Sequence, residues 1–162
     1  MKDKLKHYQH LMNGFSYMLP FVVAGGLLIA LSRYGLWHED IPYLTQVGEI
    51  VLAFTYPVLA GFIAFAIADR PGIAPGVAAG ALALVGGSGF AGAIIGGFIA
   101  GYVIEALKWL FKKVPRNLSG LKPILILPFF GVLLVAFAML LINFLLAPLS
   151  KYLSIVIQDI TG

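Results

Sequence analysis

Residues 71–104 read PGIAPGVAAGALALVGGSGFAGAIIGGFIAGYVI, 34 consecutive positions without a formal charge. A bilayer's hydrocarbon core is about 30 Å thick and takes roughly 20 helical residues per crossing. The stretch is therefore too long for one crossing and too short for two full ones joined by a loop. One member of the pair must be short. The break falls at VGGSGF, where Gly86, Gly87 and Gly89 cluster. Phe90 to Trp109 then makes a full span, and Ile73 to Val85 a short one of about 20 Å.

Working outward, Leu11 to Ser32 and Val47 to Ala68 are each 22 residues with Glu49 as the one formal charge, and each reaches about 33 Å as a helix. Ile124 to Ala147 is a further apolar segment bounded by Pro123 and Pro148. The whole chain has 162 residues, 60% of them hydrophobic and 11% charged, with a mean hydropathy of +0.97. Those values lie outside the soluble globular range, because a soluble domain of this size cannot hide that much apolar surface in its own core. The sequence predicts an all-α integral membrane protein with about five transmembrane helices, the third one short. Residues 1–148 form the membrane part. Residues 149–162, LSKYLSIVIQDITG, mix apolar with polar positions and are too short to span; they are expected to be an amphipathic interfacial segment.

Charge asymmetry tests whether the short segment crosses. If it does and the N-terminus is cytoplasmic, Lys2, Lys4, Lys6, Arg70, Lys108, Lys112, Lys113, Arg116 and Lys122 lie inside, leaving Arg33 and Lys151 outside. Nine against two obeys the positive-inside bias. If it does not cross, the five basic residues from Lys108 to Lys122 move outside and the bias largely vanishes. The expectation is a multi-pass membrane protein with its N-terminus in the cytoplasm. A cleaved signal peptide over residues 1–32 is the competing reading, but the apolar run is longer than a usual signal core and has Asn13, Gly14, Ser16 and Pro20 embedded in it.

The glycines carry the next inference. In lipid, helices associate through close packing at small residues. Gly92, Gly96 and Ala100 form one row at four-residue spacing, and Gly97 and Gly101 lie in a second row beside it, so a broad small-residue face runs along the fourth segment. This is a candidate helix-packing face, within the chain or between copies, against the plainer reading that glycine is common in membrane helices. Upstream, Pro71 after Arg70 disfavours helical geometry at Arg70 and ends the second span there. Pro71, Gly72, Pro75 and Gly76 are then expected to form an irregular turn before the short helix. Two readings of Asp69, Arg70, Pro71, Gly72, Pro75 and Gly76 stay open: an ordinary cytoplasmic loop with a solvated ion pair, or a turn held against a neighbouring domain.

Other features exclude more than they suggest. With no cysteine there is neither a disulfide nor a thiolate metal site. His7 and His10 share a helix face without a third ligand nearby, so no metal is expected, and no cofactor motif is present. The pI near 9.4 reflects topogenic charge clusters, not a nucleic-acid surface. Glu49 and Glu105 lie where side chains reach the headgroups, Trp37, Tyr43 and Trp109 fall at predicted interfaces, and no catalytic residue is identified.

Four blocks in order, LMNGFSYMLPFVVAGGLLIAL, AIADRPGIAPG, GSGFAGAIIGGFIAGY and LKPILILP, resemble the N-terminal half of the membrane component, enzyme IIC, of bacterial fructose-type phosphotransferase systems. The resemblance runs from about Leu11 to Pro148. It implies a transporter that accepts sugar outside and presents it inside to a phosphorylated IIB domain, itself supplied by IIA. It also implies a dimerising scaffold whose partner is a C-terminal IIC half carrying the glutamate-containing sugar-binding motif. Residues 1–162 hold no counterpart of that motif, since their one Gly-Glu pair, Gly48-Glu49, lies in a span. A split or truncated sugar permease is thus the expected function, with the sugar grip elsewhere. The alternative is a non-transporting membrane protein that pairs with or regulates a full permease, and co-purification with reduced sugar uptake distinguishes it. A small pore is disfavoured because no span carries a polar stripe.

Overall fold

The structure is a computed structural model and describes residues 2–34, 41–113 and 125–161. Trp37, Arg116, Lys122 and Pro123 lie outside the described residues. Six α-helices follow in order: α1 (Lys2–Tyr34), α2 (Pro42–Ala53), α3 (Thr55–Ala68), α4 (Arg70–Val85), α5 (Gly89–Leu110) and α6 (Leu127–Thr161), with a 3-10 turn at Phe111–Lys113. By length and composition, four helical segments can cross a membrane: Leu5–Arg33, Pro42–Ala68, Gly89–Leu110 and Leu127–Gln158. The chain is an all-α membrane protein, and the shorter apolar helix α4 is the fifth segment.

Residue contacts give each helix its direction. Phe15 of α1 lies against Phe90 at the start of α5, and His7 against Tyr102 near its end, so α1 and α5 are antiparallel. α3 and α5 run the same way, with Gly97 against Ala60 and Gly101 against Ile67. α4 runs opposite to both. A helix of its 16 residues rises about 24 Å, several ångströms short of a full crossing.

The core is built from small side chains. Leu59, Ala60, Ile63 and Ala64 of α3, Ala79 and Ala83 of α4, Ala93 and Ala100 of α5, and Val135 and Met139 of α6 are all fully buried. The outer faces are apolar and open. Leu19, Val23, Leu27 and Leu31 form one such stripe on α1, and Phe137, Leu140, Leu141 and Phe144 another on α6. Four-residue spacing places each set on one helix face, and these faces suit lipid.

Two expectations need correction. Pro71, Gly72, Pro75 and Gly76 do not form an irregular turn: all four lie within α4 and are buried. Pro71 stands in the first helical turn, where its missing N–H has no partner to lose, and the glycines serve helix contact instead of chain reversal. The interruption is confined to Asp69, and Arg70 opens the next helix. Nor does the last helix stop at Pro148. That proline sits inside α6, and residues 149–161 continue the same helix.

Candidate functional site

The features with most chemical content are the two turns that bracket α4 and the packed faces between them. At the first, Asp69 has φ 56 and ψ −154. Its N–H donates to the Phe65 carbonyl at 2.8 Å, and its carbonyl accepts from Gly72 N–H at 3.0 Å, so one residue closes α3 and starts α4. Asp69 and Arg70 are both exposed. From α5, Lys108 Nζ donates to the Ala68 carbonyl at 2.8 Å and to Glu105 Oε1 at 2.7 Å. A cation at a helix C-terminus meets the carbonyls that lack an intrahelical donor. Lys108 therefore straps the end of α3 to α5, and the Asp69 turn, Lys108 and the Tyr102–His7 hydrogen bond at 2.6 Å share one end of the bundle.

The second turn, Gly86–Ser88, closes α4 at the opposite end. Irregular backbone at membrane depth survives only when protein covers it. α6 supplies the cover. Asn143 Nδ2 donates to the Leu82 carbonyl at 2.9 Å, Ser88 Oγ donates to Asn143 Oδ1 at 2.5 Å, and Ser150 Oγ donates to the Gly87 carbonyl. Gly86 leaves room for the Asn143 amide, and any side chain there would overlap it. Gly87 and Gly89 take positive φ, 75 and 60, which glycine adopts at no steric cost. Sequence reading passed over Asn143 and Ser88. The available signal was a lone amide in an otherwise apolar span, a group that must find a partner in lipid.

Between the turns, glycine rows bring backbones into contact. A methyl group at Gly72 would sit 2.5 Å from the Ala64 carbonyl oxygen and one at Gly76 2.7 Å from that of Ala60, while one at Gly80 would strike the Tyr56 carbonyl. This ladder locks α4 onto α3. The two rows on α5 diverge: Gly97 and Gly101 face Ala60, Ile63 and Ile67 of α3, whereas Gly96 faces Ala79 of α4 and Met139 of α6. Gly92 lies near Ala83, and Ala100 is fully buried. The small-residue face is thus occupied within the chain. Of the residues grouped at the first turn, the structure leaves only Asp69 and Arg70 accessible; Pro71, Gly72, Pro75 and Gly76 are buried, with Gly72 and Gly76 against α3 and Pro75 beside Gly131 of α6. Among the described residues, no three His, Cys, Asp or Glu side chains come together as a metal site would require.

Comparison with known proteins gives relatives along most of the chain. The fructose-specific EIIABC component of the phosphotransferase system (PTS) of Bacillus subtilis (strain 168) is 46% identical over 136 residues, covering 77% of this chain and 21% of that protein. The PTS fructose-specific EIIB'BC component of Haemophilus influenzae Rd is 45% identical over 164 residues, covering 94% of this chain and 29% of that protein. Fructose-like permease IIC component 2 of Escherichia coli (strain K12) is 37% identical over 139 residues, covering 79% and 38%. The chain thus spans between 21% and 38% of the length of these relatives. No family model matches it, and no solved structure matches it.

Proposed function

We propose, from the premise that this chain is homologous over most of its length to one portion of the fructose-specific phosphotransferase membrane components, that it is the scaffold portion of a sugar permease. Its part in uptake is mechanical. Alternating access needs one body that holds its shape while another moves against it, and backbone contact along α3, α4 and α5 supports the static role. That glycine-locked core is the observation on which the reading rests: helices in contact through carbonyls and glycine Cα atoms cannot slide without clashing.

The sugar grip and the phosphorylating steps then belong to other parts of the permease. The relatives named EIIABC and EIIB'BC suggest IIA and IIB partners, fused or separate, together with a C-terminal IIC half. The bundle end bearing Asp69, Arg70 and Lys108 would face the cytoplasm, in line with the nine-to-two charge asymmetry, and the exposed Asp69–Arg70 pair is the point at which a moving domain or IIB would meet the frame. A homodimer fits this role. Because the glycine faces of α4 and α5 are filled from within, a dimer contact would use the open apolar stripes of α1 or α6.

Complementation tests this. Co-expression of the chain with a fructose permease lacking the matching segment is expected to restore phosphoenolpyruvate-dependent fructose uptake. Failure to restore it, with both pieces present in the membrane at normal amounts, would overturn the scaffold reading.

A further inference from the structure

Two asparagines interrupt the apolar spans, and the fold treats them differently. Asn143 of α6 is paired through both ends of its amide, with the Leu82 carbonyl and with Ser88. Asn13 of α1 is half-buried, yet its amide makes no hydrogen bond among the described residues. It lies in a groove of about 500 Å³ lined by Gln9, His10, Met12, Asn13 and Ser16 of α1 and by Ala66 of α3. Ser16 returns its hydroxyl to the Met12 carbonyl at 2.9 Å, inside its own helix, and so offers Asn13 nothing. Gln9, Asn13 and Ser16 recur at steps of four and three residues, which places them in one polar row along α1. The groove opens at the Asp69 end of the bundle, because Ala66 stands two residues before the end of α3. Tyr17 and Phe62, each one helical turn inward from Asn13 and Ala66, stack with ring centroids 3.8 Å apart and close its inner end.

The chemistry of the groove selects its occupant. An acyl chain leaves the Asn13 amide bare, whereas a neighbouring helix can supply both its donor and its acceptor. A soluble domain reaches Gln9 at the open end but not Ser16, about 10 Å further in. A second copy of the chain fits poorly, since a symmetric contact sets one surface against itself, and two concave grooves face to face leave a void where close packing is needed. A convex transmembrane helix fills the space. Ala66 lets its backbone approach closely, and Asn13 fixes its register, because an axial slip would strand the amide in lipid. A source for such a helix exists, since the matched segment is only 21% to 38% of the relatives described above. We propose that the α1–α3 groove is the docking site of a transmembrane helix from the portion of the permease outside this chain, with a hydrogen-bonding side chain of that helix opposite Asn13. The proposal rests on the scaffold reading and gives it a specific point of attachment.

The test is energy transfer in lipid vesicles between the donor-labelled full chain and an acceptor-labelled fructose permease lacking the matching segment, read over a range of protein-to-lipid ratios. The parent chain is expected to associate. Asn13→Leu keeps most of the volume and removes the amide, Ala66→Phe fills the groove, and each is expected to weaken association at least about fivefold. Phe137→Leu, on the open face of α6, is expected to stay within about twofold of the parent. Thermal melting of the chain alone shows that each variant is folded, and Asn13→Leu is expected not to lower the midpoint, since its amide has no partner there to lose. The two groove variants act by different means, so either carries the test if the other fails to fold. Parental association in a folded groove variant would overturn the proposal, assign the groove to lipid and leave the scaffold reading intact. Transfer between two labelled copies of the chain that Asn13→Leu abolishes would overturn it in favour of a second copy. Absence of any association between the parent chain and the truncated permease would sink the scaffold reading, and the docking site with it.

Discussion

At Asp69 the backbone holds φ 56 and ψ −154, close to a region that glycine alone occupies freely and that costs other residues about 1–3 kcal/mol. Glycine there would forgo that strain and pay about 0.5–1 kcal/mol in extra chain entropy. Asp69→Gly is therefore expected to stabilise the protein by about 1 kcal/mol, read as a higher unfolding midpoint in mixed micelles; a lower midpoint would mean that the carboxylate itself holds the turn. If Asp69 and Arg70 meet a moving domain, Asp69→Ala or Arg70→Ala in a reconstituted full permease should lower fructose phosphorylation more than protein accumulation. Equal loss of both would leave them a folding role only. Asn143 is the opposite case, a residue whose worth is structural. Asn143→Leu keeps most of the volume and removes the bonds to the Leu82 carbonyl and Ser88, so a loss of about 1–2 kcal/mol is expected by the same unfolding measurement. An unchanged midpoint would mean that water serves those carbonyls equally well.

At the scale of the element, α4 shows what was legible in the sequence and what was not. Counting uncharged residues was enough to demand one short helix and to end it at Val85, because bilayer thickness is a fixed ruler. Its start was misplaced, since Pro71, Gly72, Pro75 and Gly76 were read as breakers by local propensity when a neighbouring helix determines their conformation. Contacts such as Asn143 with Leu82, 61 residues apart, have no local signature at all. The glycine ladder yields its own prediction. At Gly76 a valine side chain would enter the α3 backbone, where even the first carbon lies 2.7 Å from the Ala60 carbonyl oxygen, so Gly76→Val is expected to cost more than about 3 kcal/mol and to abolish monodisperse protein on gel filtration. Gly26 has nothing within 4 Å, and Gly26→Ala should be neutral or stabilising by up to about 1 kcal/mol. Similar behaviour of the two variants would show that α3–α4 backbone contact is not what holds the frame.

For the whole molecule, both ends of the bundle are fastened by side chains reaching between helices, Lys108 at the Asp69 end and Asn143 with Ser150 at the Gly87 end. Such a body suits a fixed frame only if its ends face different compartments, which makes orientation the decisive property. α4 runs opposite to both α3 and α5, so Lys108 comes back to the end that holds Ala68. If that end is cytoplasmic, Lys112 lies inside and Lys151, beyond the Asn143 level of α6, lies outside. The chain contains no cysteine, so a single introduced thiol reports its own location without background. Lys151→Cys is expected to react with a membrane-impermeant maleimide in intact cells, and Lys112→Cys only after permeabilisation, with both side chains already exposed in the fold. The reverse pattern would put the basic cluster outside, against the positive-inside bias. It would also place Asp69 and Arg70 beyond the reach of any cytoplasmic phosphate donor, and the proposed contact with IIB would fall with it.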